Sequence, residues 1–458
     1  MSITKTTVDL LIHSKYILPI IPKRTVLKNS CIAISKGKIV DILDSKTSQQ
    51  KYKVKHPQNE VFKMDHVLMP GLINAHTHTP MNILKGYADD LSLGDWLYKM
   101  VFPTERHLLK TEPENYVSIG ARASIYEMLS TGTTTFNDMY MYPETIVETA
   151  LETGIRAAVS FPLFRIAPEF DPYVDQYEER VHKVMKTNYN NKIFPVLAGH
   201  APYTVNDDDF ATLKRLTEKY QTKLNVHLHE TPEAIKMQYE KDHIRPIERL
   251  DKLGIINSNL IAIHMTDLTQ QEIELCKRKK VNIVHCPVSN LKLASGICPV
   301  QKLLDAGVNV ALGTDSSCSN NNLDMFEEMK IASLIGKIYR HEERNSENAN
   351  SWDVLDMATI NGARSLGLQK KIGSIEKGKL ADIIAIDINS SVNSLPVYDL
   401  SSSIVYSLGN SKYLTDVWVD GQRVVENKKV KTIDHNKIIS DIKYFNEKLL
   451  KFKKSLLK

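Results

Sequence analysis

The sequence of 458 residues has no long apolar run and no cysteine pattern typical of a disulfide framework. No window approaches the roughly 18 consecutive apolar residues that a membrane-spanning helix needs. The first twenty residues, MSITKTTVDLLIHSKYILPI, lack a basic stretch followed by a long apolar run. The five cysteines are odd in number, scattered and without a C-x-x-C pair. We therefore expect reduced thiols, a cytoplasmic setting and no membrane partner.

The charge is uneven along the chain. The net charge is +5, yet residues 428–458 alone hold ten lysines against three acidic residues, which leaves the remainder slightly acidic. This distribution argues against a basic surface for nucleic acid and predicts a solvated, lysine-rich tail. The segment IISDIKYFNEKLLKFKKSLL has the apolar spacing of an amphipathic helix. We expect its apolar face to pack on the rest of the chain or on a partner.

Short apolar runs separated by amphipathic stretches fill the middle of the chain. The intervening stretches, such as NYVSIGARASIYEMLSTG, carry apolar residues at helical spacing. Eight strand–helix alternations within about 300 residues predict an α/β fold, a (β/α)₈ barrel of the TIM type. The runs are GLINAHTHT, TTTFNDMY, GIRAAVSFP, IFPVLAGHAP, LNVHLHET, LIAIHMT, VNIVHCPVS and VNVALGTDS.

The two ends of the chain differ from this middle part. Before residue 69 and after residue 373 the runs are short and β-like, broken by Lys, Gly and Asn. We expect residues 1–68 and 374–432 to form one small β-sandwich domain beside a barrel of residues 69–373. Residues 433–458 are predicted to form the lysine-rich C-terminal helix.

Polar residues stand where the predicted barrel strands end. In a parallel barrel these ends meet at one rim, where active sites lie. His76 and His78 occupy positions i and i+2 of one strand, so their side chains point to the same face. Three imidazoles and a carboxylate suit a borderline divalent ion such as zinc, and we interpret His76 and His78 as ligands. The polar residues at the rim are His76, His78, His200, His227, His229, Glu230, His264, His285 and Asp315.

Separate motifs in this sequence resemble those of the amidohydrolase superfamily. They are PGLINAHTHT, HLHET, GTD and GSIEKGKLADIIAID. More narrowly, GYADDLSLGDWL, FPTE, HAPYTV, IVHCPVSNLKLASG and LGTDSSCSNNNLDM are similar to the 5-methylthioadenosine/S-adenosylhomocysteine deaminases. The resemblance covers nearly the whole chain except its last 25 or so residues. It implies a hydrolase that releases ammonia from a small-molecule nucleoside, turning S-adenosylhomocysteine into S-inosylhomocysteine or 5′-methylthioadenosine into 5′-methylthioinosine.

The resemblance also implies the metal site. It implies one divalent ion, zinc with iron or manganese as the alternatives, held by His76, His78, His227 and Asp315. Two-metal members of the superfamily carry a bridging carbamylated lysine at the end of the fourth strand. Here that stretch reads VLAGHAP, and Lys192 precedes the strand at its other end. One metal ion is therefore expected.

Further roles are implied by the same resemblance. Glu230 would protonate the ring, Asp315 would accept the proton of the attacking water, and His264 would orient that water. A carboxylate beside a cation stays ionised, which suits a base. The residues implied to contact the substrate are Glu105 at the sugar hydroxyls, His200, Glu230, Asp315 and the aromatic face of Trp96.

The sequence leaves alternative interpretations open. The same ligand set serves deaminases or chlorohydrolases of other heterocycles, such as guanine, an s-triazine or adenosine, although HAPYTV lacks the arginine usual in a guanine pocket. A non-catalytic scaffold on this barrel would be expected to lose metal ligands. Trp96 could be an ordinary core residue, and His285 is expected to pack in the core with a hydrogen-bonded ring. His229 is predicted to support the ligands, and a homodimer or higher homo-oligomer is expected.

Overall fold

The computed structural model describes residues 5–164, 170, 174–339, 344–408 and 411–456. The chain begins with six strands and one short helix. Helix α1 (Ser45–Lys51) starts where the Asp44 carboxylate accepts hydrogen bonds from the backbone N–H groups of Lys46 and Thr47. The strands are β1 (Thr6–Val8), β2 (Leu10–Ile17), β3 (Leu27–Ser35), β4 (Lys38–Asp44), β5 (Tyr52–Val54) and β6 (Glu60–Pro70).

Eight parallel strands form the barrel, and each overlaps one of the runs predicted from the sequence. They pair in chain order, and the ring closes between the last and the first. At this closure the Asp315 N–H donates to the His76 carbonyl at 3.1 Å, and a Cβ on Gly313 would lie 2.8 Å from the His76 nitrogen. The strands are β7 (Leu72–Thr77), β8 (Thr133–Met139), β9 (Arg156–Leu163), β10 (Ile193–Gly199), β11 (Leu224–Leu228), β12 (Leu260–His264), β13 (Asn282–His285) and β14 (Asn309–Leu312).

Helices follow the barrel strands and cover the outer face of the ring. The π-helical turn Trp96–Val101 joins α2 to α3. Gly132, with φ of +90°, makes the turn between α4 and the second barrel strand. The helices are α2 (Leu93–Asp95), α3 (Phe102–Thr111), α4 (Pro113–Ser130), α5 (Pro143–Thr153), α6 (Tyr177–Lys186), α7 (Asp207–Tyr220), α8 (Pro232–Asp242), α9 (Pro246–Lys252), α10 (Gln270–Lys279), α11 (Pro287–Lys292), α12 (Val300–Asp305), α13 (Ser317–Asn320), α14 (Met325–Gly336), α15 (Ser351–Met357) and α16 (Ile360–Ser365).

The last part of the chain returns to the strands of the first part. A second eight-stranded sheet has the order β18-β17-β16-β15-β6-β2-β3-β4, so both chain ends build it, and β1 pairs separately with β5. A long helix then closes the chain. These elements are β15 (Ile383–Asp387), α17 (Leu400–Ser402), β16 (Leu414–Val419), β17 (Gln422–Glu426), β18 (Lys429–Val430) and α18 (His435–Leu456).

A buried ion-pair cluster joins this sheet to the starts of the barrel strands. The Arg156 guanidinium donates to both carboxylate oxygens of Asp382 at 2.8 and 2.9 Å and contacts Asp420 at 2.5 Å. Lys192 also pairs with Asp420, at 2.9 Å. Lys192 therefore lies at the end of the barrel opposite the rim, as predicted. No helix in the described ranges combines the length and apolar character needed to cross a membrane.

Candidate active site

Imidazole nitrogens and one carboxylate converge where the barrel strands end. The Nε2 atom of His76 lies 3.2 Å from Nε2 of His227 and 3.3 Å from Oδ1 of Asp315. The same Oδ1 atom lies 3.2 Å from Nε2 of His78. His76, His227, His264 and Asp315 each offer one donor atom, and these atoms lie within 4.8 Å of one another. The four ligands predicted from the sequence thus lie together, with His264 beside them.

Backbone carbonyls fix the direction of the histidine rings. Nδ1 of His78 contacts the Met139 carbonyl at 2.5 Å, and Nδ1 of His227 contacts the His200 carbonyl at 2.7 Å. Because a carbonyl only accepts, each Nδ1 atom must carry a proton there. The Nε2 atoms of His78 and His227 therefore face the centre of the cluster, as metal-binding imidazoles do.

Asp315 is held by two hydroxyl groups. Its Oδ2 atom accepts hydrogen bonds from Ser289 Oγ at 2.7 Å and Ser319 Oγ at 2.8 Å, so Oδ1 is left to face the histidines. His264 is oriented by the Asn290 side-chain oxygen, 2.9 Å from its Nδ1 atom. Asp315 has φ of +59° and His264 has φ of +78°. This left-handed backbone is costly away from glycine, and such conformations cluster at functional sites.

The protonation states of the cluster suit a cation. Burial lowers the pKa of His76 to about 4, and burial with the neighbouring imidazoles holds the pKa of His227 well below its usual value. Burial opposes ionisation of Asp315, but its hydrogen bonds to His76 and His78 place its pKa well below the usual range. Asp315 also raises the pKa of His78 to about 9 against the effect of burial. A divalent ion would displace that proton, so this donor set fits one divalent ion.

A cavity opens directly above the cluster, with about 820 Å³ of space not filled by protein, part of it open to solvent. Glu230, whose side chain is 11% exposed, lies on its wall with Oε1 3.8 Å from Nε2 of His264, and desolvation raises the pKa of the Glu230 carboxyl. The aromatic wall consists of Trp96, Phe102, Tyr140, Phe164, Phe170 and Tyr203. The cavity can therefore enclose a flat, largely apolar ligand against a few polar groups.

Two more predicted residues line this cavity. Glu105 on α3 is buried and accepts a hydrogen bond from the Tyr140 hydroxyl. Burial raises the pKa of the Glu105 carboxyl to about 7, although the bond to Tyr140 lowers it. His200 follows β10 with Nδ1 at 2.9 Å from Thr204 Oγ1, and burial lowers its pKa to about 3. His200 thus presents a neutral ring to the cavity.

A family model matches most of the chain. The model of the Amidohydrolase family matches residues 67–424. The chain belongs to the amidohydrolase family. This amidohydrolase is 36% identical over 95% of its length, and 96% of the relative's, to a 5-methylthioadenosine/S-adenosylhomocysteine deaminase from Saccharophagus degradans. It is 38% identical, over 81% of its own length and 84% of the relative's, to a 5′-deoxyadenosine deaminase from Methanobrevibacter smithii.

One solved structure is similar to this amidohydrolase along nearly its whole length. The crystal structure of an adenosine deaminase from Xanthomonas campestris with bound zinc has a TM-score of 0.93 to this amidohydrolase. The two sequences are 35% identical, and the match covers 98% of this chain and all of the other.

His229 and His285 are the other two histidines at the rim. His229 directly follows β11, which ends at Leu228, and has φ of +51°. Its Nδ1 atom contacts the Asp267 carbonyl at 2.9 Å, and the Ile247 N–H reaches Nε2 at 3.3 Å. Both ring nitrogens of buried His285 lack a hydrogen-bond partner among the described residues, so the prediction of a hydrogen-bonded ring is wrong.

Several residues of the amidohydrolase site were not found from the sequence. Ser289, Asn290 and Ser319 bind the side chains of Asp315 and His264, and Tyr140 binds Glu105. Ser289 and Asn290 lie in the motif IVHCPVSNLKLASG and Ser319 lies in LGTDSSCSNNNLDM, so these two motifs were the signals available. Tyr140 carried no signal, because only the folded chain brings the end of β8 to α3.

Proposed function

We propose that this amidohydrolase removes the amino group of an adenosine-type nucleoside by hydrolysis and releases ammonia. The substrates proposed are S-adenosylhomocysteine, converted to S-inosylhomocysteine, and 5′-methylthioadenosine, converted to 5′-methylthioinosine. The observation that carries the proposal is that Glu105, a buried carboxylate, lines the same cavity as the histidine–aspartate cluster. A free base would give such a carboxylate no sugar hydroxyl to bind. The names of the relatives support the same substrate class.

The ion proposed for the cluster is zinc, with His76, His78, His227 and Asp315 as its ligands. Three imidazole nitrogens and a carboxylate oxygen form a donor set that suits zinc, and the Xanthomonas relative binds it. When bound, a divalent ion supplies Lewis acidity and lowers the pKa of a water molecule. Of the three histidines, His76 and His227 lie in barrel strands and His78 directly follows β7.

Proton movement is assigned to the chain's own residues. Asp315, ionised in its buried site, is proposed to accept the proton of the attacking water, and His264 to orient that water. Glu230 is proposed to protonate the ring nitrogen beside the reacting carbon. Burial raises the pKa of Glu230, which favours the protonated form that a general acid needs.

Substrate orientation is assigned to the cavity wall. Glu105 is proposed to accept hydrogen bonds from two sugar hydroxyls, an arrangement stronger with a carboxylate than with a neutral acceptor. His200 is proposed to contact the purine, since its neutral ring both donates and accepts. Trp96 is buried on the wall and is proposed to present its indole to the ligand.

Ammonia release by the zinc-loaded protein tests this proposal. The panel consists of S-adenosylhomocysteine, 5′-methylthioadenosine, 5′-deoxyadenosine, adenosine, adenine, guanine and a chloro-s-triazine. We expect turnover of the adenosine compounds, with adenine at least about tenfold poorer because it cannot contact Glu105. Turnover of guanine, or dechlorination of the triazine, without turnover of any nucleoside would overturn the proposal.

A further inference from the structure

Helix α18 lies outside the match to the family model, which ends at residue 424. It packs on α3, on α4 and on the turn Thr79–Leu84, and α3 and this turn contribute Glu105 and Met81 to the cavity wall. We propose that α18 is a positioning element for Glu105: it holds α3 so that this carboxylate faces the sugar of the substrate. The inference rests on the proposed function, in which Glu105 is the acid that binds the sugar. Three sets of contacts carry it.

The first set is a buried chain of side chains that ends at Glu105. Phe445 of α18 is fully buried, and its ring centroid lies 6.2 Å from that of Tyr116 on α4. The Tyr116 and Tyr140 hydroxyl oxygens are 2.9 Å apart, and Tyr140 donates its proton to Glu105. Tyr116 must therefore donate to the Tyr140 oxygen, because each hydroxyl has one proton. A shift of Phe445 would thus reach the partner of Glu105.

The second set runs through the residue before Glu105. Lys453 of α18 donates to the Tyr87 carbonyl, and its ammonium lies 4.9 Å from the centroid of the Tyr87 ring. The hydroxyl of Tyr87 is 3.2 Å from Oγ1 of Thr104. Thr104 is fully buried on α3 immediately before Glu105. Lys453 therefore stabilises Tyr87, the loop residue that contacts Thr104 in the first turn of α3.

The third set of contacts holds the C-terminal part of α3. Glu112, between α3 and α4, forms an ion pair with Lys448 and accepts from the Tyr444 hydroxyl at 3.1 and 3.2 Å. Phe452 stacks on His107 with a centroid distance of 4.2 Å and an interplanar angle of 7°. Helix α18 therefore contacts α3 or its supports at both ends. The metal cluster depends less on α18, because His76, His227 and His264 lie in barrel strands, although His78 adjoins the turn Thr79–Leu84 that α18 contacts.

This difference predicts a selective effect when α18 is loosened. A displaced Glu105 weakens contacts to the sugar in the substrate complex and in the transition state alike, so KM rises while kcat changes little. Small misplacements of a positioning group are enough to lose such contacts. General damage to the fold would instead lower kcat and metal content and raise KM together.

The test uses the full-length, zinc-loaded protein with the double substitution Phe452→Ala and Lys453→Ala. We expect KM for 5′-methylthioadenosine to rise about tenfold, the effect of losing about one net contact, with kcat within about twofold. Lys453→Arg, which keeps a cationic donor, should behave as the parent protein. The matched control is Lys454→Ala, an exposed lysine of the same helix turn, which should leave KM unchanged. An unchanged KM in the double variant would overturn the inference.

Two further measurements separate this inference from the proposed function. In a Glu105→Ala background, the double substitution should add no further increase in KM, because coupled residues are not additive; a full additional tenfold increase would overturn the inference. Hydrogen–deuterium exchange of residues 102–111 requires no substrate. It should be faster in the double variant than in Lys454→Ala, and equal exchange would overturn the inference. A protein that deaminated no nucleoside would instead overturn the proposed function, with the exchange result still deciding the role of α18.

Discussion

Substitution of Glu105 by Gln tests how this site recognises a nucleoside. Gln keeps the shape of the side chain and can still accept from Tyr140, which bonds to Oε1 of Glu105, so the charge is the main loss. A hydrogen bond to a charged group contributes about 1.5–3 kcal/mol and one to a neutral group about 0.5–1.5 kcal/mol. Losing the charge beneath two sugar hydroxyls therefore costs about 2 kcal/mol of binding.

That free energy corresponds to a rise of about thirtyfold in KM for 5′-methylthioadenosine. KM for adenine should change little, since adenine has no sugar. The assay is ammonia release at varied substrate concentration, with metal content measured on each sample. An equal rise in KM for both compounds would refute the role of Glu105 at the sugar.

The pH dependence of KM follows from the same carboxyl group. Burial raises its pKa to about 7, so the ionised, stronger acceptor predominates above that pH and the protonated form below it. KM of the parent protein should rise as pH falls from about 8 to 5 and level off near the KM of Glu105→Gln. The Gln variant lacks this titration. A parent KM independent of pH over that range would contradict the argument.

Three further predictions concern metal, chemistry and stability. His227→Ala should lose metal content and turnover together, because His227 and His76 nitrogens meet 3.2 Å apart; full metal occupancy would remove His227 from the ligand set. Glu230→Gln should keep its metal and lose about 10²–10⁴-fold in kcat, and retained turnover would exclude it as proton donor. Arg156→Ala should lower the free energy of unfolding in urea by about 3–5 kcal/mol, because it leaves Asp382 buried without its partner. Arg215→Ala, which breaks an exposed pair with Glu178, should cost about 1 kcal/mol or less, and equal losses would contradict the role of burial.

Local patterns were enough to predict the barrel. Each of the eight strands overlaps a short apolar run, and polar residues at the ends of six of these runs mark the rim. His200, His264 and Asp315 were placed at this rim because strand ends in a parallel barrel share one edge. The helical stretches NYVSIGARASIYEMLSTG and IISDIKYFNEKLLKFKKSLL correspond to α4 and α18. These features depend on neighbours in sequence, which a single chain displays directly.

Features that depend on distant parts of the chain were not predictable in this way. Arg156 could not be distinguished from an ordinary boundary arginine until Asp382 and Asp420 lay beside it. The left-handed backbone at His229, with φ of +51°, could not be predicted from the alternation of residues in β11. The lysine-rich tail was expected to pack somewhere, but its contact with Tyr87 joins residues 366 positions apart.

The most direct test of the central claim is the fate of the 6-amino group in water enriched with ¹⁸O. Zinc-loaded protein is incubated with 5′-methylthioadenosine, and the product is examined by mass spectrometry beside an ammonia assay. The account predicts 5′-methylthioinosine carrying one ¹⁸O atom, together with one equivalent of ammonia. Release of free adenine, or an unchanged nucleoside with metal fully bound, would contradict hydrolytic deamination as the function of this site.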